Sequence, residues 1–376
     1  MISYEPLALY FSYTWKNLNL LRKLLLNLLP IRLFLQKWDM PKEAQTKYLF
    51  TQSLNRDDYN KFVNIVFGSL ETNNKKHFMV TKTRKLNFVI LSVKINRAKY
   101  IWDNIDSSNL FEKIFIFLNI LEIVTIEKYL KNYKIGLHIT HADMQPVENY
   151  IVQYFKAQNT KTVTLQHGLY IDYEKHPNIN EVNYKNVVSE YFLAWGDDTK
   201  NLIQKYHFNC KIFVCGNPMI KNISHKPKDF FTVIFDQEIF KEYNQKMMTI
   251  AQEIARSVNL KILLKLHPSN KIDDYRISED LLVEKGKIDN TIFAMGHTST
   301  MLFELMIKKI PTFKFKTEIP TKEFKHDLVF SDTNELIQKL NNLDKIDFFK
   351  EAQYYIKNTD IKALREYKSA LKKIGI

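Results

Sequence analysis

The sequence has few of the residues that mark fibrous, linker-rich or disulfide-bonded proteins. Its 376 residues include 8 glycines, 10 prolines and 2 cysteines. So little glycine and proline excludes collagen-like and low-complexity chains, and no internal repeat is visible. The two cysteines, Cys210 and Cys215, fall on opposite faces of a predicted strand, so they cannot readily bridge each other. We therefore expect a reduced, cytoplasmic protein without a structural metal.

Acidic residues are also scarce relative to basic ones, and this imbalance limits the classes of molecule that the protein is expected to bind. With 55 Lys and Arg against 41 Asp and Glu, the net charge is +14, which calls for an anionic partner. Nucleic acid is not expected, because no helix-turn-helix, zinc finger or RNP-type motif is present. A phosphate-bearing small molecule and an anionic membrane surface remain. A hydrophobic content of 45% excludes a disordered chain.

The segment 17–38, "NLNLLRKLLLNLLPIRLFLQKW", bears on the membrane alternative. Its leucines are interrupted by four basic residues and Pro30, which rules out a spanning helix. A signal peptide is not expected either, because no small-residue cleavage site follows. Two interpretations stay open: an interfacial basic helix on the inner leaflet, or a core helix with one solvated face. The first places the protein peripherally on the cytoplasmic side of the plasma membrane.

From about residue 77 onward, strand-like and helix-like segments alternate. Strands are predicted over 85–93, 134–143, 162–168, 191–196, 211–218, 230–236, 261–268, 280–286, 290–296 and 311–315. Helices are predicted over 109–132, 146–159, 237–258, 299–309 and 333–343. This pattern predicts an α/β fold with parallel sheets covered by helices on both faces.

The pattern restarts after residues 219–229 and therefore predicts two Rossmann-like domains that face each other across a cleft. We expect a first domain over 1–220, with a basic amphipathic part over 1–40, and a second domain over 221–348. Helices in 349–376 are expected to pack back on the first domain. In such sheets, ligands bind at the carboxyl ends of the strands.

Polar residues and glycines follow the predicted strands in both domains. They are Asp143, Gln166–Gly168, Gly196–Asp198, Gly216–Pro218, His267–Pro268 and Gly296–Thr300. A hydrophobic core does not require such residues, whereas a phosphorylated ligand does.

The segment "GHTSTMLFELMIKKIPTFKF" (296–315) is the strongest candidate for a phosphate site. A strand ends at Gly296, and His297, Thr298, Ser299 and Thr300 lead into a helix. Free backbone N–H groups at a helix start bind phosphate, and Glu304 lies one turn further on, where it would accept hydrogen bonds from a ribose diol. The alternative is that Thr298 or Ser299 only caps the helix.

The segment "LLKLHPSN" (263–270) offers a second phosphate contact. Pro268 cannot continue the strand, so His267 is held at the carboxyl edge of the sheet, where an imidazole N–H would bind a diphosphate. A lone histidine of this kind is more often structural. Its position one strand–helix unit before the hydroxyl residues favours function.

These segments together resemble GT-B-type glycosyltransferases of bacterial surface polysaccharides, in the branch of the teichoic-acid glycerophosphotransferases and capsular polysaccharide transferases. "STMLFELMIKKIPTF" resembles the S-S-x-x-F-D…K-P segment of the glycerophosphotransferases. His267-Pro268 resembles the H-P motif that these enzymes share with bacterial sialyltransferases. Gly216-Asn217-Pro218 resembles the G-N-P segment between the domains of the N-acetylglucosaminyltransferase of peptidoglycan synthesis. The resemblance covers roughly residues 134–345.

The resemblance implies a role for each matching residue. His267 and the hydroxyl residues 298–300 would bind the phosphates of a nucleotide donor, and Gly216 and Asn217 would lie beside the donor. His167, in an H-G segment, would activate the acceptor.

Three features depart from the pattern. The glycine-rich loop after the first strand is missing, no D/E-D/E-G triplet occurs, and the link between strands 280–286 and 290–296 is too short for a helix.

Glycosyl transfer needs a base for the acceptor hydroxyl and groups that stabilise the departing phosphate. We expect His167 to be the base and Asp143 to orient its second ring nitrogen, as in catalytic triads. Asp172 and Glu174 are rival bases from the same loop, and a turn histidine that caps the next helix is the structural alternative for His167. No DxD pair follows a strand, so transfer without a metal or other cofactor is expected.

Four alternatives to a nucleotide-sugar glycosyltransferase acting on a glycan or polyprenyl-linked acceptor remain. Two use the same site: transfer of a polyol phosphate from CDP-glycerol or CDP-ribitol, and transfer of a sugar from a CMP donor. The third is a nucleotide-sugar 2-epimerase, which would need additional acidic residues around the sugar. The fourth is a protein without catalytic activity that binds membranes or polyanions.

Overall fold

The computed structural model describes residues 2–19, 22–23, 36–70, 72–85, 93–173, 177–221, 226–283 and 286–375. Most of the segment 17–38, most of the predicted strand 85–93, and Glu174 lie outside these ranges. Predictions made for those residues therefore stay predictions.

The described strands are numbered along the chain. They are β1 (Gln36–Asp39), β2 (Ala44–Gln52), β3 (Lys75–Met79), β4 (Thr81–Arg84), β5 (Tyr133–Thr140), β6 (Lys161–Leu165), β7 (Tyr191–Ala194), β8 (Lys211–Val214), β9 (Phe230–Ile234), β10 (Lys261–Lys265), β11 (Ala294–Gly296), β12 (Thr312–Phe315) and β13 (Val329–Phe330).

The described α-helices follow the same convention. They are α1 (Glu5–Lys16), α2 (Asp57–Gly68), α3 (Ile95–Asp103), α4 (Leu110–Val124), α5 (Glu127–Leu130), α6 (Pro146–Ala157), α7 (Pro177–Glu181), α8 (Asp197–Tyr206), α9 (Lys241–Ser257), α10 (Met301–Ile307), α11 (Thr333–Leu340), α12 (Phe348–Gln353) and α13 (Asp360–Gly375).

Two parallel sheets form the framework, which confirms the predicted fold class. A six-stranded sheet has the order β3-β2-β5-β6-β7-β8, and a five-stranded sheet has the order β10-β9-β11-β12-β13. Both are parallel throughout, and β1 and β4 form a separate antiparallel pair. The direction of winding reverses between β2 and β5 in the first sheet and between β9 and β11 in the second. Ligands of doubly wound folds bind at such reversal points.

The first sheet begins earlier in the chain than the sequence pattern predicts. The strand β2 and the helix α2 precede residue 77, and β3 spans it. The winding reverses beside β2. Burial alternates only over the first four residues of "AQTKYLFTQ", three of which are polar, and its last five residues are all buried. Because of this mixed pattern, the periodicity of apolar residues did not predict the strand.

Two predicted elements differ in the structure. The predicted strand 280–286 is a single 3-10 turn, Glu279–Leu281, followed by one parallel bridge between Ile262 and Leu282; residues 284–285 lie outside the described ranges. The predicted helix 109–132 is interrupted after α4, where the Thr125 hydroxyl donates to the Glu122 carbonyl at 2.6 Å. A side-chain bond of this kind competes with the helical ladder.

The C-terminal segment returns from the second domain to the first. It crosses the carboxyl ends of β7 and β8, where the Lys357 N–H donates to the Trp195 carbonyl at 2.8 Å. The helix α13 then packs against α2 and β5, and the Tyr367 hydroxyl donates to the Gly216 carbonyl at 3.1 Å. Among the described residues, no helix combines the length and the apolar character needed to cross a membrane.

Candidate functional site

A cavity of about 580 Å³ lies between the two domains. The first domain contributes Ile171, Tyr173 and Ile179, and the second contributes Phe235, Asp236, Gln237, Ile239, Phe240, Tyr243, His267, Thr298, Ser299, Thr300, Glu318, Ile319 and Pro320. Most of these residues follow the carboxyl ends of β6, β9, β10, β11 and β12. The cavity therefore lies at the reversal point of the second sheet.

His267 lines this cavity with a defined tautomer. Its Nδ1 accepts the backbone N–H of Ser269 at 3.2 Å and lies 2.8 Å from the Ser269 hydroxyl. Because a backbone N–H only donates, Nδ1 carries no proton in the neutral ring, and the proton is on Nε2. His267 thus offers an N–H donor, while Pro268 is exposed beside it.

The hydroxyl residues Thr298, Ser299 and Thr300 line the same cavity. The helix begins at Met301, two residues later than predicted, and the Met301 N–H donates to the Ser299 hydroxyl at 3.3 Å. The N-cap position is Thr300, whose side chain makes no capping hydrogen bond, so Ser299 contacts the first helical N–H and still lies at the cavity. The backbone N–H groups of Ser299 and Thr300 donate to no described residue, so the segment offers both hydroxyl and N–H donors.

Gly296, His297 and Glu304 do not line the cavity, unlike the residues between them. His297 is fully buried behind the wall, and its Nε2 lies 2.9 Å from the Asn244 side-chain oxygen. Burial lowers the pKa of His297 and raises that of the Glu304 carboxyl. A side chain on Gly296 would approach Leu302 within 3.0 Å, so this glycine serves packing. The predicted contact of these three residues with a donor stays a prediction, and their described contacts are structural.

Gly216 and Asn217 hold the C-terminal segment and do not line the cavity. Gly216 has a φ of +95°, and a Cβ there would lie 2.0 Å from the Asn358 carbonyl oxygen. The Asn217 N–H donates to that same carbonyl at 2.8 Å, and Asn217 forms a bridge with Thr359. The pair lets two chain segments cross closely, and its predicted donor contact stays a prediction.

His167 follows β6 and lies outside the lining, although Ile171 and Tyr173 of the same loop belong to it. Its Nδ1 donates to the His141 carbonyl at 2.9 Å. Since a carbonyl only accepts, the proton is on Nδ1 and Nε2 carries the lone pair. Burial lowers the pKa of His167 to about 4, which keeps the ring neutral at pH 7. The ring packs edge-on against Tyr59 and Tyr170.

Asp143 does not orient His167, because the His141 carbonyl makes that bond. The carboxylate of Asp143 is fully buried and accepts the backbone N–H groups of Val188 and Ser189, both at 2.8 Å. Burial raises its pKa. The predicted orienting role is corrected to fixing the loop that precedes β7.

Asp172 is occupied by structural contacts as well. Its carboxylate accepts the Asn180 amide at 2.8 Å and the Tyr184 hydroxyl at 2.7 Å, and so anchors α7 and the turn after it. Its rival, Glu174, lies outside the described residues. Both of these contacts use the Asp172 Oδ1, and its Oδ2 lies 3.7 Å from the Lys205 ammonium. The His167 Nε2 is therefore the free ring nitrogen of the loop, and Asp172 keeps an oxygen outside these hydrogen bonds.

No family model matches this sequence, and no curated protein sequence matches it. Two solved structures share its architecture. A UDP-N-acetylglucosamine 2-epimerase matches with a TM-score of 0.53 at 11% identity over 88% of this chain and 97% of its own. A protein from Listeria monocytogenes described as a UDP-N-acetylglucosamine 2-epimerase matches with a TM-score of 0.51 at 14% identity, over 89% and 96% of the two chains. The fold is of the GT-B type.

A third likeness is more distant. The wall teichoic acid polymerase TagF matches with a TM-score of 0.45 at 13% identity over 87% of this chain and 88% of its own. The likeness to TagF carries no argument about activity. The two epimerase structures establish the GT-B fold alone.

Within this GT-B fold, sequence reasoning missed several residues of the site. Tyr173, Asp236 and Glu318 line the cavity, and the only signal for Asp236 was its position after β9. Among the described residues of the lining there is no lysine or arginine. The described ranges of the chain also contain no group of three or more His, Cys, Asp or Glu side chains suited to a metal ion.

Proposed function

We propose that the chain is a glycosyltransferase that moves a sugar from a nucleotide-activated donor to a growing or lipid-linked bacterial surface polysaccharide. The observation that carries this proposal is the cavity at the reversal point of the second sheet, with His267 and the hydroxyl residues 298–300 in its wall. Phosphates bind at such points in doubly wound folds.

The donor phosphates would be bound by side-chain and backbone hydrogen-bond donors. The Nε2–H of His267, the hydroxyls of Thr298 and Thr300, and the backbone N–H groups of Ser299 and Thr300 supply them. Donors fixed before the reaction stabilise charge that develops on a leaving phosphate without reorganising.

The acceptor would be activated by His167. Its Nε2 would take the proton of the acceptor hydroxyl while the acceptor oxygen bonds to the anomeric carbon and the bond from that carbon to the phosphate oxygen breaks. The negative charge then leaves on the phosphate. The His141 carbonyl would stabilise the protonated ring through Nδ1. No step in this scheme uses a metal or other cofactor.

A thermal-shift panel with UDP, CDP, CMP and GDP tests the donor site. A nucleotide at about 100 times its dissociation constant stabilises the folded state by ~2.7 kcal/mol, so at least one should raise the melting temperature. His267→Ala should abolish most of that shift. His326→Ala, an exposed histidine far along the chain, is the control and should keep it. Stabilisation by none of the four nucleotides would overturn the proposal.

The same panel separates the close alternatives. Preferential stabilisation by CDP would reassign the reaction to polyol-phosphate transfer, and preference for CMP would reassign it to a CMP-sugar transferase. No stabilisation by any nucleotide, together with tight binding to anionic vesicles, would favour the interpretation as a basic membrane-binding protein without catalytic activity.

A nucleotide-sugar 2-epimerase is the second candidate, because Asp236 and Glu318 place two carboxyl groups in the lining. Such an enzyme moves a proton at a sugar carbon and needs acid and base groups beside the sugar. Incubation with UDP-N-acetylglucosamine alone, followed by proton NMR, decides between the two. Appearance of the 2-epimer without an acceptor supports epimerisation, and unchanged donor supports transfer.

We also propose that the protein acts at the cytoplasmic face of the plasma membrane. The support is the net charge of +14 and the basic, leucine-rich segment 17–38. Sedimentation with anionic vesicles should be reduced by deletion of residues 1–38. Unchanged sedimentation of the deletion variant would remove the segment from this role.

A further inference from the structure

Asn244 is a fully buried amide beneath the strand ends of the second domain. Its Oδ1 accepts the Asp236 N–H at 3.0 Å and the His297 Nε2–H at 2.9 Å. Its Nδ2 donates to the Asp236 carbonyl at 3.1 Å and to the Tyr275 hydroxyl at 3.3 Å. All four hydrogen-bonding positions of the amide are therefore occupied, which fixes its orientation.

These bonds join two loops across the reversal point of the sheet. Asp236 follows β9 and His297 follows β11, and both donate to the same oxygen of Asn244. The two strand ends lie on either side of the point where the winding reverses. The Asn244 side chain on α9 therefore connects the loop after β9 to the loop after β11.

A third loop joins through Tyr275. The Tyr275 hydroxyl donates to the Asn270 side-chain oxygen at 2.7 Å, and the Asn270 amide donates to the Asp236 carbonyl at 2.6 Å. Asn270 ends the loop that follows β10 and contains His267. The hydrogen bonds thus close a ring that includes Asn244, Tyr275, Asn270 and Asp236.

The orientation of His267 depends on this ring. The Ser269 hydroxyl that contacts His267 Nδ1 also accepts the Glu238 N–H at 3.1 Å, and Glu238 belongs to the loop after β9. A shift of either loop would therefore separate the contacts that keep the proton of His267 on Nε2. A buried hydrogen-bond network of this kind specifies one arrangement of the groups it joins.

We propose that Asn244 is a positioning residue that holds the three cavity loops, 235–240, 266–270 and 296–300, in register as one unit. That this unit serves a nucleotide donor rests on the proposed function. The fixed arrangement of the three loops does not rest on the proposed function. An experiment can therefore contradict either statement without contradicting the other.

Hydrogen exchange on the full chain, measured by mass spectrometry without ligand, tests the register. Asn244→Ala should accelerate exchange in all three loops together by roughly tenfold, which corresponds to ~1.4 kcal/mol in opening free energy. Acceleration confined to 235–240 would overturn the proposal, because it would reduce Asn244 to a cap of its own loop. Equal acceleration throughout both domains would overturn it as well.

The chain offers a matched control and a milder variant. Asn149 is also fully buried, is the fourth residue of α6 as Asn244 is of α9, and bonds the Asp143 carbonyl after β5 at 2.8 Å. Asn149→Ala should leave the three loops unchanged. Tyr275→Phe removes one hydroxyl and should loosen 266–270 only, so it remains decisive if Asn244→Ala does not fold. An unchanged rate of hydrogen exchange in residues 266–270 of the Tyr275→Phe variant would contradict the proposed role of the hydrogen-bonded ring.

Binding of UDP and CDP adds the functional readout. If the wild-type protein binds either, Asn244→Ala should weaken that affinity by about tenfold, and Asn149→Ala should leave it unchanged. Unchanged nucleotide affinity in a variant with three loosened loops would overturn the positioning role. If the wild-type protein binds neither nucleotide, the proposed function fails, while the exchange pattern still decides the register.

Discussion

Glu148 is a buried carboxyl whose replacement should change how the free energy of unfolding depends on pH. It lies in the first turn of α6, and its Oε1 accepts both the N–H and the hydroxyl of Ser53 at 2.6 and 2.7 Å. Its Oε2 is buried and has no hydrogen-bond partner among the described residues. Burial outweighs the Ser53 bonds and raises the pKa of this carboxyl to about 7.

The raised pKa has a calculable effect on stability. A carboxyl whose pKa moves from 4.5 to about 7 on folding is disfavoured in its ionised form by ~3 kcal/mol. The folded state therefore has its full stability from this group below pH 4.5 and loses it as the pH rises through 7. Glu148→Gln removes the ionisation and keeps an oxygen that accepts from Ser53.

Urea unfolding of both proteins between pH 5 and pH 8 measures the effect. We expect the variant and the wild type to have similar free energies of unfolding near pH 5, and the variant to be more stable by up to ~3 kcal/mol near pH 8. Glu242→Gln, an exposed position on α9, should reproduce the wild-type profile. A difference that does not change with pH, or a variant less stable at pH 8, would refute the reasoning.

Three further variants test other parts of the molecule. His167→Ala should lower kcat on the order of 100-fold or more, as loss of a general base does. The affinity for UDP, measured by calorimetry, should stay unchanged. Full activity of the variant would remove His167 from the mechanism. His267→Ala should weaken UDP binding by about tenfold or more, the value of one hydrogen bond to a charged group; unchanged affinity contradicts its phosphate role. Gly216→Ala should destabilise the fold by ~2 kcal/mol or more, because its Cβ would overlap the Asn358 carbonyl at positive φ. Gly68→Ala, where a Cβ meets nothing within 4 Å, is its control, and equal melting temperatures for the two would contradict the crossing.

The sequence predicted the strand ends well, because the information there is local. Runs of buried apolar residues that stop at polar ones located β6, β9, β10 and β11, and with them His267 and the hydroxyl residues 298–300. The strand β2 was missed, because polar residues interrupt its first half and the helix α2 that follows has no distinct cap signal. Local patterning thus located the second-domain wall of the cavity and overlooked part of the first sheet.

Roles that depend on distant partners could not be predicted. Asp143 has the residue type and the strand-end position of a catalytic orienter, yet its carboxylate is used by the backbone of Val188 and Ser189. Gly216-Asn217 has the sequence of a donor loop, yet Asn358 lies against it. In both cases the partner is far along the chain, and only the folded packing of the segments decides which use the residue has.

The two histidines of the proposed reaction differ in the same way, and the difference determines what each can do. The tautomer of His267 is set by Ser269, two residues on. That of His167 is set by the carbonyl of His141, which follows the neighbouring strand β5. One ring therefore presents an N–H and the other a lone pair. Glycosyl transfer removes a proton from the acceptor while negative charge grows on the donor phosphate. A lone pair on the acceptor side and an N–H on the donor side match those two changes, and exchanging the tautomers would oppose both.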